Sequence, residues 1–426
     1  MKRLIVFVLL SFALLAVWST SSHAQTADKH PKGSALGRAG YANKSLAIQG
    51  FAQFRFEMDH SGSKEATQTY FRLRRFRFRA TGDWMTYFRV RVQLALQEFA
   101  KSDVAGEVLE DAYIRFNPDP SGLSERFRLT MGQQKIPMMR EELRSSSDQF
   151  VVDRGMVNSA FKKKGGWVAY DLGVLLDGNL YDLDVPLGYQ VGVFNGEGRN
   201  TPKDFKDPNT GKLFAARVTV SPVVGLELAG SLGIRNISGD KEYSAYTIGK
   251  GSADLPEDYS ERAMALGGEL GWVYPINPNN RLNLEVDALQ GANMEAFLKA
   301  ADAAATNATA LPKPSDEGLT MRGIQVSPHF FHRLPGKGLI KAVEVGARFA
   351  QFDPDIDADD DGETELAVAG GLHIGLLGSK PNLSRLQVEF TSISYEDSGA
   401  DPDWQFRVQW QVFMCLFLTF VVKRET

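Results

Sequence analysis

Arginine alternates with aromatic and aliphatic residues between positions 70 and 79, where the sequence reads Tyr-Phe-Arg-Leu-Arg-Arg-Phe-Arg-Phe-Arg. Successive side chains of a β-strand point to opposite faces, so this pattern collects the arginines on one face. The alternation slips between Arg74 and Arg75, and we predict a β-bulge there that keeps the arginines together. A guanidinium stays charged at any relevant pH and offers a planar fork of donors that suits phosphate. The pattern therefore predicts attraction of anions to a basic surface.

Two further stretches, residues 88–92 and 126–131, repeat the alternation of arginine with apolar residues. Between Tyr70 and Lys164 the chain carries 18 Lys and Arg against 12 Asp and Glu, although its net charge is -4. Cations clustered in a constriction raise the local concentration of anions. The predicted wall of an anion pathway consists of Arg72, Arg74, Arg75, Arg77, Arg79, Arg89, Arg91, Arg126 and Arg128.

The same arginines have a second interpretation, in which they pair with carboxylates across the enclosed space and select no ion. Inward positions of later strands include Glu285, Asp287, Glu344 and Glu389. The sequence alone leaves both interpretations open.

The elements that position these side chains are strands long enough to cross a bilayer. In Trp404–Met414, tryptophan, phenylalanine, valine and methionine alternate with glutamine and arginine. One face therefore suits lipid and the other suits water. About eleven residues is also the length that a tilted spanning strand needs.

Period-two segments between turn signals predict sixteen strands. The first eight are Ile48–Met58, Tyr70–Ala80, Thr86–Gln97, Leu109–Asn117, Arg126–Gln134, Asp171–Tyr181, Leu187–Phe194 and Leu213–Ser221. The last eight are Gly225–Asn236, Arg262–Tyr274, Arg281–Gln290, Leu319–Arg333, Leu339–Phe352, Thr364–Leu377, Leu383–Glu396 and Asp403–Met414. Short turns alternate with long polar loops, which is typical of outer-membrane barrels and favours them over a soluble sandwich. The predicted fold class is all-β, a transmembrane 16-stranded antiparallel β-barrel.

The chain begins with the pattern of an exported protein. Lys2 and Arg3 precede an apolar run and Ser22-His23-Ala24 fits a cleavage site, so residues 1–24 are predicted to be a signal peptide. A short periplasmic segment at 25–47, a transmembrane barrel at 48–414 and an atypical C-terminal tail at 415–426 complete the predicted organisation. The single cysteine, Cys415, excludes a disulfide within the chain. No internal run of about 20 apolar residues is present, which excludes a helical membrane protein.

Several motifs resemble the phosphate-selective porin O and P family of Gram-negative outer membranes. In chain order they include Leu73-Arg74-Arg75, Thr130 to Pro137, Asp171 to Val174, Gly192 to Gly198 and Arg407 to Trp410. The resemblance covers nearly the whole mature chain. It implies a trimer of sixteen-stranded barrels whose third extracellular loop folds inward to form the constriction. Carried over to this chain, the loop from Lys135 to Tyr170 becomes the constriction, and its candidate basic residues are Lys135, Arg140, Arg144 and Arg154.

Together these features predict an outer-membrane porin for passive diffusion of small anions, such as phosphate or polyphosphate, through an arginine-lined pore. No cofactor and no nucleic acid are expected. The expected partners are outer-membrane lipid, lipopolysaccharide, small anions and further copies of the chain in a homotrimer. The alternatives are a general, weakly selective porin and a plugged barrel that serves structure or adhesion.

Two other groups of residues are weighed against this prediction. Asp357, Asp359 and Asp361 match the first half of a calcium loop, but its twelfth position is Val368, so a solvated acidic loop is favoured over a cation site. His329, His332 and His373, with Ser392 and Ser394 on a neighbouring strand, could suggest an enzyme. Because no serine hydrolase motif and no third metal ligand accompany them, we predict no catalysis.

Overall fold

The strands of this chain close on one another as a single antiparallel barrel. The computed structural model describes residues 43–64, 66–84, 87–100, 108–118, 126–199, 210–239, 246–248, 251–253, 255–307, 309–336, 338–375, 384–396 and 401–421. Within these residues, sixteen strands each pair with their neighbours, and the last pairs with the first. The predicted fold class is therefore confirmed. The predicted signal peptide at 1–24, residues 25–42 and residues 422–426 lie outside the described residues.

The strands of the wall match the predicted ones closely. The first eight are β1 (Asn43–Ser61), β2 (Ala66–Trp84), β3 (Phe88–Ala95), β4 (Leu109–Phe116), β5 (Arg128–Lys135), β6 (Tyr170–Leu180), β7 (Leu187–Phe194) and β8 (Leu213–Val223). They are followed by β9 (Leu226–Ser238), then, after a loop hairpin of β10 (Tyr246–Ile248) and β11 (Gly251–Ala253), by β12 (Ser260–Asn277) and β13 (Asn280–Ala292). The last five are β14 (Thr320–Arg333), β15 (Ile340–Asp353), β16 (Glu363–Ile374), β17 (Ser384–Tyr395) and β18 (Asp403–Val421).

The first and last strands extend beyond the bounds that alternation predicts for the barrel, residues 48 and 414. Strand β18 continues to Val421, which pairs with Asn43 at the start of β1. Residues 415–421 of the predicted tail therefore continue the closing strand.

The β-bulge predicted in the arginine-rich strand is confirmed. Gln53 of β1 pairs with Arg75 of β2, whereas the next residue, Phe54, pairs with Leu73. Arg74 is the extra residue, so the arginines on both sides of it share one face.

The wall has an apolar face that is open and a polar face that is covered. Phe71, Val90 and Trp410 are exposed, whereas Gln409 and Gln411 are fully buried. In a closed barrel the covered face is the inner one, because the side chains there meet one another and the loops. Apolar and polar residues that alternate along each strand are thus placed on opposite faces of the wall, as predicted.

Helices in the long connections are the part of the fold that the strand analysis missed. They are α1 (Arg140–Leu143), α2 (Met156–Lys163) and α3 (Met294–Asn307), and two 3₁₀ turns lie at Gly62–Lys64 and Leu96–Ala100. Apolar residues recur in α3 at Met294, Phe297, Leu298 and Ala301, which is helical spacing, and all four are buried. No helix among the described residues is long and apolar enough to span a membrane.

The largest apolar core is built between loops and strand ends. Residues of the connection between β5 and β6, among them Trp167 and Phe161, pack with α3 and with strand residues such as Phe352. Trp167 also donates a hydrogen bond from Nε1 to the carbonyl of Ala292, at 2.8 Å. These contacts fix the connection against the wall of β13 to β15.

Candidate functional site

The connection between β5 and β6, residues 136–169, is called the third loop here, and its backbone is bonded to strands far from its own ends. Gln387 of β17 donates a hydrogen bond from Nε2 to the carbonyl of Phe150, at 2.8 Å. The backbone N–H of Val152 donates to Glu389 of the same strand at 2.6 Å. The N–H of Met156 donates to Glu365 of β16 at 3.0 Å. The third loop therefore reaches from β5 to strands on the other side of the barrel.

The basic residues expected at the constriction all have partners in the structure. Arg140 contacts Glu227 of β9 at 2.5 Å, and Arg144 contacts both oxygens of Glu285 of β13. The guanidinium of Arg140 also packs on Gly271, where an added Cβ would lie 2.4 Å from its Cζ. These two arginines therefore follow the second interpretation that the sequence left open, in which arginines pair with carboxylates across the enclosed space.

Arg154 and Lys135 are satisfied within the third loop. Arg154 Nε lies 2.9 Å from Glu142 Oε2, and Lys135 Nζ donates to the carbonyls of Glu142 and Arg144 at 2.5 and 3.0 Å. Burial favours the neutral form of Glu142, but the charges of Arg154, Lys162 and Lys135 outweigh it and lower the pKa of Glu142 to about 2. These charges hold the loop together.

Most arginines of the predicted wall also contact carboxylates. The pairs are Arg72 with Glu57, Arg74 and Arg75 with Asp153, Arg77 with Glu110, Arg89 with Asp83, Arg126 with Asp182, and Arg128 with Asp177. Arg89 and Arg126 are largely open to solvent, where such pairs contribute little.

Two arginines of the predicted wall, Arg79 and Arg91, have no described carboxylate within 4.0 Å, and neither has Arg115 of β4. Arg91 of β3 and Arg115 of β4 both lie close to the ring of Tyr113 in β4, with their Cζ atoms 5.5 and 5.4 Å from its centroid. Arg79 donates from Nε to Gln93 at 2.5 Å, a neutral partner. On the adjacent strands β2, β3 and β4, the positive charges of these arginines are therefore not compensated by a described carboxylate in contact.

Sequence reasoning missed Arg55, Arg115 and Asp153. Arg55 and Arg115 follow the same alternation as the named arginines, so the period-two pattern could have found them. Asp153 has no such signal, because it lies in an irregular segment and its partners Arg55 and Arg74 lie on β1 and β2, far from it along the chain.

The acidic residues that were expected to face inward do face inward, and each of them contacts another polar side chain. Glu285 pairs with Arg144, Glu389 with Arg407 at 2.5 Å, and Glu344 with Arg385 at 3.0 Å. Asp287 accepts a hydrogen bond from Gln325 at 2.9 Å.

The histidines and serines weighed for catalysis are not brought together. His329 stacks on Phe150, His332 bonds Asn280, and His373 lies 3.2 Å from Glu344. Ser392 pairs with Leu366 while His373 pairs with Arg385, so the two lie near opposite ends of β16 and β17. Within the described residues no group of three or more His, Cys, Asp or Glu is arranged to hold a metal, Asp357, Asp359 and Asp361 included.

Comparison with known proteins agrees with the resemblance seen in the sequence. The family model of the phosphate-selective porins O and P matches residues 47–242, which confirms the resemblance over that segment. A comparison with curated protein sequences gave no match.

Solved outer-membrane proteins share the fold. A loop-deletion mutant of OmpT from Vibrio cholerae gives a TM-score of 0.53 at 10% identity, covering 87% of this chain and 99% of that one. The trimer form of OmpT gives 0.52 at 10% identity, with coverage of 87% and 99%. An anion-selective porin from Comamonas acidovorans gives 0.51 at 10% identity, with coverage of 87% and 100%. At this identity the likeness concerns the barrel fold.

Proposed function

We propose that this chain, whose residues 47–242 match the phosphate-selective porin O and P family, is an outer-membrane porin through which small anions diffuse passively. The observation that carries the proposal is the set of Arg79, Arg91 and Arg115, which face the lumen on adjacent strands without a described carboxylate within 4.0 Å. Guanidinium groups in a narrow aqueous passage replace part of an anion's hydration, and several modest sites allow the anion to leave again.

We infer that the third loop folds across the lumen and forms the constriction. Its hydrogen bonds to β16 and β17 and the Arg144 contact with β13 support this. Solutes would then pass between the loop and the strands β2 to β4, where Arg79, Arg91 and Arg115 lie. The constriction residues Arg140, Arg144 and Arg154 would shape the passage rather than select ions, because each is paired.

A general, weakly selective porin is the second candidate, and a specific observation favours it. Pairing compensates the charges of Arg77, Arg128 and Arg144, so the lumen carries less positive charge than a count of arginines indicates. Strong preference for phosphate or polyphosphate therefore needs a site beyond the basic wall itself.

The cellular setting follows as part of the same proposal. Residues 1–24 would direct export, and the apolar outer face would meet outer-membrane lipid and lipopolysaccharide. A homotrimer is the proposed assembly. It agrees with the family resemblance and with the fold shared with OmpT, which is known in a trimer form.

The test is single-channel recording of purified protein in a potassium chloride gradient, with three single variants: Arg79→Gln, Arg91→Gln and Arg115→Gln. We expect a reversal potential that favours anions, and a shift toward zero in each variant. Arg262→Gln is the matched control, because this exposed arginine lies on the outer face of β12. Absence of conductance would favour the plugged barrel, and a cation-directed reversal potential in the wild type would refute anion preference.

A further inference from the structure

An arginine of β12, Arg262, lies on the outer face of the barrel, away from the ion pathway. Its side chain is exposed, whereas the next residue, Ala263, faces inward and is only 1% exposed. The following outward residues, Met264 and Leu266, are 50% and 57% exposed. The guanidinium of Arg262 therefore stands directly beside the apolar outer surface.

Arg262 marks the level at which two paired strands change from polar to apolar on their outer face. Arg262 pairs with Asn236 of β9, and two residues further on Met264 pairs with Ile234. From Met264 to Trp272 the outward side chains of β12 are apolar or glycine over a stretch of nine residues. A tilted strand needs about nine to eleven residues to cross a bilayer. Because long connections mark the extracellular rim of such a barrel, Arg262 lies at the level of the lipid head groups of the outer leaflet.

The surroundings of Arg262 are rich in hydroxyl and amide groups. Arg262 lines a hollow of about 530 Å³. The other polar side chains that line it belong to Thr210, Asn236, Ser238, Ser260 and Glu261. The carboxylate of Glu261 lies 3.6 Å from Lys313 Nζ. Among the described residues no carboxylate lies within ion-pair distance of Arg262, so its charge is open to a ligand.

A larger hollow of about 930 Å³ continues from Leu266 across the outer face of β13 and β14. On its floor Gly268 pairs with Ala288, and Ala288 pairs with Ile324. A Cβ added to Gly268 would meet no atom within 4 Å, so the wall is recessed there. Leu266 and Ile324, both exposed, stand at the sides of this recess. An alkyl chain fits such a surface, because it covers apolar area that otherwise has no partner in the chain.

Carboxylates at the far rim of the larger hollow determine which end of a ligand lies at Arg262. Asp359, Asp360 and Asp361 line that rim. Arg322 also lines the hollow, but its Nε is already 3.0 Å from Asp353 Oδ2. An anionic head group is therefore repelled from this rim and attracted to Arg262. The two hollows together suit an amphiphile with an anionic, hydroxyl-rich head and an alkyl chain.

We propose that a phosphorylated glycolipid of the outer leaflet, of the lipopolysaccharide type, binds this outer face with a phosphate on Arg262 and an acyl chain over Leu266. Its sugar hydroxyls bond the side chains of Asn236, Ser238 and Ser260. Arginine bonds phosphate through charge-assisted hydrogen bonds, and basic groups at a membrane surface recognise lipid head groups in this way. The inference rests on the proposed outer-membrane location and adds to it a lipid site outside the lumen.

The experiment is native mass spectrometry of the purified protein in non-ionic detergent, with monophosphoryl lipid A titrated as the probe. Arg262→Gln should bind the probe about tenfold more weakly than the wild type, a difference of about 1.4 kcal/mol, whereas Arg262→Lys, which keeps the charge, should stay within about threefold. Lys299→Gln is the matched control, because Lys299 is an exposed cation of α3 that pairs with Glu295. Equal affinity in the wild type and Arg262→Gln would overturn the proposal.

Two further probes test whether the phosphate of the lipid is what Arg262 recognises. Lipid A without phosphate should bind the wild type and Arg262→Gln equally, because the guanidinium then has no anionic partner. A loss in Arg262→Gln as large as that seen with the phosphorylated probe would contradict the proposed contact. Excess inorganic phosphate should not displace the lipid, since a free ion gains nothing from the apolar recess; displacement would mean a site for free ions instead.

The same samples distinguish a failure of this inference from a failure of the porin proposal. A wild type that binds no lipid, as a second copy of the chain seated on this face would cause, overturns the lipid site. In bilayer recording, absent conductance with the Arg262 effect on lipid binding retained defeats only the channel. Anion conduction together with equal lipid affinity in Arg262→Gln defeats only the lipid site.

Discussion

Arg144 of the third loop forms a bidentate ion pair with Glu285 of β13, in which both carboxylate oxygens take part. Nη1 lies 2.7 Å from Oε2, and Nη2 contacts Oε1. Parallel bonds of this kind fix direction as well as distance. The sequence suggests that Arg144 attracts anions, whereas in the structure Arg144 attaches the third loop to β13.

Removing one member of this pair should therefore have an effect opposite in sign to removing the other. Arg144→Gln leaves Glu285 without its cation, so the reversal potential should move toward cations; Glu285→Gln should move it toward anions. The double variant should return close to the wild-type value, because the net charge is restored. Shifts of the same sign in the two single variants, or a double variant whose reversal potential stays far from the wild-type value, would contradict this charge-compensation account.

Trp167 should be the residue whose loss most loosens the third loop. Its ring is fully buried and lies 4.6 Å from the Arg235 guanidinium, which donates to the carbonyls of Gly165 and Gly166. Truncating a buried tryptophan typically costs about 3 to 5 kcal/mol. Trp167→Ala should therefore make the Lys162–Lys164 run susceptible to trypsin.

Limited proteolysis of the folded barrel measures this directly. Trp272→Ala serves as control, because Trp272 is an exposed tryptophan on the outer face. Equal cleavage of the two variants within the third loop would show that the apolar core does not hold it.

The alternation of apolar and polar residues was sufficient to predict the strands of the barrel and the β-bulge in β2, because burial on one face requires a strict period of two. The bulge at Arg74 was visible as a slip in the sequence, and β7 begins and ends where predicted. Helix α3 was missed although Met294, Phe297 and Ala301 carry its spacing, since polar loops between strands do not suggest a core. The pairing of Asp153 with Arg55 and Arg74 could not be predicted, because it depends on the path of the third loop from β5 to β1 and β2.

The strand that closes the barrel should need its last residues. Residues 415–421 pair with residues 43–49 of β1, from Cys415 opposite Gln49 to Val421 opposite Asn43. A chain that ends at Met414 leaves these N-terminal residues without that neighbour, and unpaired backbone at a bilayer edge is costly. We expect a lower yield of folded barrel and unfolding at a lower temperature, measured by heat-dependent electrophoretic mobility.

A chain ending at Val421 is the control, since it keeps every one of these pairs. Equal yield and heat resistance in the two truncated chains would show that the pairing of residues 415–421 does not contribute to assembly.

Glu142 should make the third loop resistant to acid down to an unusually low pH. Nearby cations lower its pKa to about 2 against burial, from an ordinary value near 4.5. A depressed pKa means that the ionised form stabilises the folded state; this contribution is complete above about pH 4.5 and is lost as pH falls through about 2. The loop should therefore stay docked at pH 4 and loosen only near pH 2.

The emission of Trp167 reports the docking, taken as the difference between the wild type and Trp167→Phe. The Glu142→Gln variant lacks this charge at every pH, so its third loop should already be less firmly docked at pH 7. Its emission should then show no change near pH 2. Glu295→Gln, on the exposed side of α3, should behave like the wild type because the Glu295 carboxylate pairs with Lys299 at the surface and has no contact with the third loop among the described residues. A wild-type transition centred between pH 4 and 5 would show that Arg154 and the neighbouring lysines do not hold Glu142 ionised.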